Sequence, residues 1–145
     1  MVGAGGTGGY YGGALARAGN QVTMVARGPH LAAIKANGLQ VNSVLLGDFH
    51  LDVDATDDMS SVGPADLVIF AVKSYGTDDA IRDMGPLVGD ETMVISTQNG
   101  IDSERLLGEE CQCRIVVHFG AATLLMKDPT VAMIRVFAET DVTDQ

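Results

Sequence analysis

Tryptophan is absent from this 145-residue chain and aromatic residues make up only 5% of it. Any core must therefore be built from aliphatic side chains. Positive charge is scarce too. Nine Lys and Arg stand against nineteen Asp and Glu, for a formal net charge of −10. The basic residues are scattered from Arg17 to Arg135 without clustering, which excludes the concentrated basic surface that nucleic acid requires. An anionic ligand has to be held by local groups, namely oriented backbone amides and one or two placed cations. Cysteine is limited to Cys111 and Cys113. A zinc site needs about four ligands, and no second pair supplies them, so no metal is expected and the two read as reduced thiols at the start of a strand. No basic start followed by an apolar stretch marks a signal peptide. The longest apolar run, 65–72, is interrupted by Asp66 and falls far short of the ~20 residues of a membrane span. The expectation is a soluble, cytoplasmic protein that engages neither membrane nor nucleic acid.

Apolar residues account for 46% of the chain and recur in short bursts, enough for one domain that buries roughly two-thirds of its unfolded surface. The eighteen glycines follow no three-residue period, which excludes a collagen-like repeat. Residues 1–2 read as the tail of a strand and 7–18 as a helix stopped by Gly19. Residues 21–26 (QVTMVA) read as a strand, and 29–36 as a short helix with Pro29 in its first turn and Asn37-Gly38 at its end. Two β-like stretches over 39–53, broken around Gly47-Asp48, suit a hairpin. A polar loop is expected over 54–64. The apolar stretch 66–72 (DLVIFAV) predicts a strand buried on both faces, followed by a helix over 77–84 capped by Thr77 or Asp78. Strands are expected at 92–97, 114–118 and 131–137, with a short helix at 103–107.

Strands alternating with helices predict an α/β fold, a doubly wound and mostly parallel sheet with helices on both faces. Such sheets bind ligands outside the carboxyl ends of their strands. In this chain those positions are 3–8, Arg27, Lys73-Ser74 and Gln98-Asn99-Gly100.

Gly3-Ala4-Gly5-Gly6-Thr7-Gly8 matches G-x-G-x-x-G between a strand tail and a helix. In that context Gly3 makes the tight turn, Gly5 admits a pyrophosphate to the backbone, and Gly8 lets helix and strand pack closely. The helix start, with Gly6 and Thr7, presents free N–H groups and the positive dipole end. In a glycine-rich chain the motif alone could be a structural turn. The strand–loop–helix setting makes it a Rossmann-type dinucleotide site. An NAD site usually carries Asp or Glu after the next strand, to hold the ribose 2′-hydroxyl. Here that position is Arg27, whose guanidinium suits a 2′-phosphate. The expected cofactor is NADP(H), favoured over NAD(H) by roughly 10- to 100-fold if one charge-assisted bond decides it. His30 is close enough in sequence to be a second donor or merely structural, and the sequence leaves both readings open. Lys73 and Asn99 each end a strand. Taken singly, such residues are ordinarily a solvated terminus and a turn.

GAGGTGGYYGGALARAG, VTMVAR, AVKSY and QNG, in this order and spacing, closely resemble the amino-terminal domain of the ketopantoate reductases (2-dehydropantoate 2-reductases). The resemblance is clear through Gly100 and looser beyond Arg114. In that family an NADPH-binding Rossmann domain is joined to a helical domain. The enzyme reduces the 2-keto group of ketopantoate to pantoate, toward pantothenate and coenzyme A. The resemblance implies that residues 3–8 hold the pyrophosphate and Arg27 the 2′-phosphate. Lys73 and Asn99 would lie beside the nicotinamide ribose and a small 2-keto acid substrate. A homo-oligomer is compatible with it.

Two departures bear on activity. The family's general-acid lysine, with the Asn, Ser and Glu around its substrate, comes from the helical domain, and neither Lys127 nor Glu139 occupies a matching position. Only Met1 and Val2 precede Gly3, where a first strand normally has more residues. The expectation is a Rossmann domain over 1–145, cut at both ends and not catalytically competent alone. The rival is a regulatory nucleotide-sensing domain without enzymatic activity; such domains usually carry Asp where this chain has Arg27.

Overall fold

The computed structural model describes residues 1–98, Leu107 and the strands Arg114–Phe119 and Ala122–Leu125. The described helices are Gly6–Arg17 (α1), Gly28–Asn37 (α2) and Thr77–Asp83 (α3). The strands are Thr23–Val25 (β1), Leu39–Val41 (β2), Phe49–Leu51 (β3), Asp54–Thr56 (β4), Leu67–Phe70 (β5) and Met93–Ser96 (β6), followed by the two at 114–119 (β7) and 122–125 (β8).

β1 pairs in parallel with β4, β5 with β6 and β6 with β7, while β8 returns antiparallel to β7. Val2 joins the two groups. It bridges Val25 on one side and Phe70 on the other, with Val2 N–H donating to Ile69 O at 2.9 Å and Val25 N–H to Met1 O at 2.8 Å. The sheet therefore runs β4–β1–Val2–β5–β6–β7–β8. From Val2 the chain builds outward through β1 and β4, then crosses to the other side at β5. That reversal is the topological switch point where doubly wound sheets bind ligands. The expected α/β, Rossmann-type fold is the one observed.

Successive strand residues point to opposite faces, and the two cores follow this rule. Val2, Val25, Val68, Phe70 and Val94 pack with Ile81 of α3, with Met84 directly after it and with Leu107. Met24 and Ala26, one residue out of phase with Val25, pack with Leu31 and Ile34 of α2 and with Leu39 and Val41 of the β2–β3 hairpin. The helix stops follow the glycines. Gly19 (φ +91°) donates to Ala16 O at 2.9 Å, and Gly38 (φ +71°) to Ile34 O at 2.8 Å.

Three local expectations are corrected. Residues 54–56, expected in a loop, form β4. A polar edge strand lacks the apolar run that marks central strands, and its pairing with β1 is a backbone matter. The loop proper begins after it, where Asp58 caps the turn Met59–Ser61 by accepting from the Ser60 amide (2.9 Å) and hydroxyl (2.6 Å). These bonds hold its carboxyl below the ordinary carboxylate range. The cap of α3 is Gly76, with no side-chain bond. β5 is buried fully on one face only. Leu67 is 37% exposed, and with Ile69, Met1, Leu15 and Val22 it lines a cleft of about 660 Å³ at the amino-terminal edge of the sheet. The expected helix at 103–107 apart from Leu107, the strand at 131–137 and Cys111 and Cys113 lie outside the described residues. Among the described residues no helix is long and apolar enough to cross a membrane.

At Gly8 an added Cβ would collide with the carbonyl of Gly3. Backbone cannot rotate away, so Gly8→Ala should cost about 2–4 kcal/mol, read as a lower denaturation midpoint.

Candidate dinucleotide-binding crevice

Parallel strands end at one edge of the sheet, and the residues that follow them gather there. Gly3 follows Val2 with φ +96°, a conformation that suits glycine. Its hypothetical Cβ would lie 2.8 Å from Ala71 O and 2.9 Å from Val72 N, so the loop is pressed against the end of β5. Behind it the buried glycine face of α1 (Gly8, Gly9, Gly12, Gly13) brings the helix onto the strands and the hairpin. At Gly12 a Cβ would meet the Met24 methyl at 2.5 Å, and at Gly13 the Val41 methyl at 2.8 Å.

Gly5 and Gly6 are different: a Cβ at either would meet nothing within 4 Å. Gly5 is the N-cap of α1, no side chain caps the helix, and its first turn carries no acid. The first-turn amides of a helix have no carbonyl within it to serve, and together with the dipole they favour an anion at that point. The loop is thus open where a pyrophosphate needs room and closed where helix and strand need contact. His30 of α2 braces it, its Nε2 hydrogen-bonding Ala4 O at 2.7 Å. That nitrogen is committed to the loop backbone, so the structural reading of His30 is the one realised at Nε2.

Arg27 stands between β1 and α2, as the N-cap of the latter with extended backbone. Its side chain is 56% exposed and its Nη2 lies 2.9 Å from Asp83 Oδ2 at the end of α3. Lys73 follows β5, exposed, at the start of the turn Ser74–Gly76. Gln98, after β6, clasps that segment from both ends. Its Nε2 donates to Val72 O at 2.6 Å and to the buried Thr77 hydroxyl at 2.8 Å, while its buried Oε1 has no partner among the described residues. Asn99 lies outside the described residues, directly after Gln98. Gly3, Gly5, Gly6, Thr7, Gly8, Arg27 and Lys73 share the carboxyl edge of the sheet. The sequence reading missed Asp83 and the side-chain role of Gln98. The QNG motif flagged the position of Gln98, but no signal in the sequence pairs residue 27 with residue 83.

The family model for ketopantoate reductase PanE/ApbA matches residues 1–140. The chain belongs to the ketopantoate reductase family. It is 39% identical over 109 residues to a 2-dehydropantoate 2-reductase of Pyrococcus horikoshii, covering 75% of this chain and 35% of that protein. It is 40% identical over 103 residues to one of Mesorhizobium japonicum, covering 70% and 31%. The chain thus spans about a third of the length of these curated relatives. The crystal structure of a PanE/ApbA family ketopantoate reductase from Ralstonia eutropha superposes with a TM-score of 0.73 at 39% identity, over 81% of this chain and 40% of that one. A ternary structure of D-mandelate dehydrogenase with NADH and anilino(oxo)acetate gives 0.70 at 25% identity, over 81% and 40%.

The open space at Gly5 separates binding from folding. Gly5→Ala, whose backbone sits at φ −68° and ψ −167°, should melt within about 0.5 kcal/mol of wild type. It should nevertheless lose at least ten-fold in dinucleotide affinity by calorimetric titration, because the methyl takes up the room a phosphate needs.

Proposed function

We propose that this chain is the NADPH-binding part of a 2-dehydropantoate 2-reductase-like oxidoreductase, which passes hydride to the 2-keto group of ketopantoate or a related small 2-keto acid. The observation that carries the reading is the open, acid-free glycine loop at the switch point, with a half-exposed arginine side chain after the next strand. The residues present fit the cofactor. Amides of Gly6, Thr7 and Gly8 would receive the pyrophosphate, with Gly3 and Gly5 leaving it room, and Arg27 would receive the 2′-phosphate by charge-assisted hydrogen bonds. The cofactor, when bound, supplies the hydride.

Lys73 and Asn99 are assigned to the nicotinamide ribose and the substrate side of the crevice. Lys73 brings a positive charge to the edge where a 2-keto acid carboxylate or its developing alkoxide needs one, and Gln98 holds the Lys73 segment against the ends of β5 and α3. The general acid is not assigned to any residue of this chain. These 145 residues alone are expected to bind the nucleotide and not to turn over ketopantoate, since a general acid contributes roughly 10²–10⁴ in rate.

Because a neighbour of the same fold is described with NADH, the choice of NADP(H) rests on Arg27. Thermal melts with each nucleotide test it. At 100 times its dissociation constant NADPH should add about 2.7 kcal/mol of stability, with NADH much less effective at equal concentration. Arg27→Ala should cut NADPH affinity by roughly 10- to 100-fold and leave NADH nearly unchanged. Equal shifts from both nucleotides, unaltered in the variant, would refute the assignment.

A further inference from the structure

The Arg27 guanidinium already has an anionic partner. Asp83 is the last residue of α3, whose exposed acids are Asp78, Asp79 and Asp83. Arg82 is taken by Asp79 at 3.2 Å, while Asp83 reaches Arg27, 56 residues away in the chain. A carboxylate at a helix carboxyl end faces the negative end of the dipole, so α3 itself offers Asp83 no compensation.

We propose that Asp83 is a specificity-determining residue: it competes with the ribose 2′-phosphate for Arg27 and so sets how strongly the crevice favours NADP(H) over NAD(H). The proposal rests on the reading of Arg27 as the 2′-phosphate residue. Among the described residues Asp83 holds the guanidinium through one contact, at Nη2, which leaves the remaining N–H donors of the arginine available to a second anion. A phosphate ester monoanion or dianion drawn to Arg27 arrives within a few ångströms of the Asp83 carboxylate. It either shares the guanidinium against like-charge repulsion or displaces Asp83 altogether. Both routes oppose NADP(H). Neither acts on NAD(H), which brings no charge to that point. With the side chains 56% and 53% exposed, the pair is weak and salt-screened, suited to tuning the preference and not to blocking the site.

Calorimetric titration of the 145-residue chain with NADPH and with NADH tests this in wild type, Asp83→Asn, Arg27→Ala, the double variant and Asp79→Asn. Asp83→Asn should bind NADPH about three- to ten-fold tighter with NADH unchanged. The gain should shrink in about 0.5 M salt and in the Arg27→Ala background. Asp79→Asn removes a charge from the same helix without touching Arg27 and should fall well short of that gain. Asp83→Ser serves as a second variant should the amide disturb α3. NADPH affinity unchanged or weakened in both Asp83 variants, or NADH affinity raised equally, overturns the proposal. A wild type that binds both nucleotides alike, with Arg27→Ala changing neither, instead removes the Arg27 reading beneath it.

Discussion

The backbone segment centred on Val2 holds this fold in one piece. On one side Val25 N–H donates to Met1 O and Gly3 N–H to Val25 O, and on the other Val2 N–H donates to Ile69 O and Ala71 N–H to Val2 O, so three consecutive residues stitch the β1–β4 pair to the β5–β8 ladder. The Val2 side chain is 1% exposed in the core shared with α3. Everything in the crevice inherits its position from this seam. The glycine loop leaves the sheet from Val2, and the strands that flank it deliver Arg27 on one side and Lys73 on the other.

Glycine does two opposite jobs within one short loop. Gly3 and Gly8 are glycines because backbone occupies the place of a side chain. Gly5 and Gly6 have no neighbour within 4 Å of that place among the described residues. Cost and function are thereby separated along the chain. Losses of helix propensity at Gly8, Gly9, Gly12 and Gly13, each near 1 kcal/mol relative to alanine, are offset by the close seat of α1 on Met24, Leu39 and Val41. Room for a phosphate is left at the N-cap, where the helix dipole makes an anion welcome.

A chain of net charge −10 can favour an anion only locally. It keeps acids out of the first turn of α1 and sets one arginine after β1. The long-range field of the protein still opposes any anion, and salt screens that field beyond roughly 10 Å. At the carboxyl edge of the sheet the near contacts outweigh the distant acids of the surface, and the nearest of these to the guanidinium is Asp83, 2.9 Å from Arg27.

The sequence by itself determined the fold class, the family and the position of the glycine loop between strand and helix, because these rest on local pattern: apolar bursts of strand length, a turn that only glycine makes cheaply, and motifs in fixed order. It also placed Arg27, Lys73 and Gln98 at one edge, since parallel strands must end together. Only the tertiary structure decided the rest. β4 was hidden by its polar edge composition, the open face of β5 by the cleft beside Met1, and the commitments of His30 to Ala4 and Gln98 to Val72 by the distances in sequence they span. The pairing of Arg27 with Asp83 is the clearest case. Two exposed, oppositely charged residues on separate elements meet only when the sheet order brings the end of α3 beside the end of β1, and no periodicity in the chain encodes that meeting.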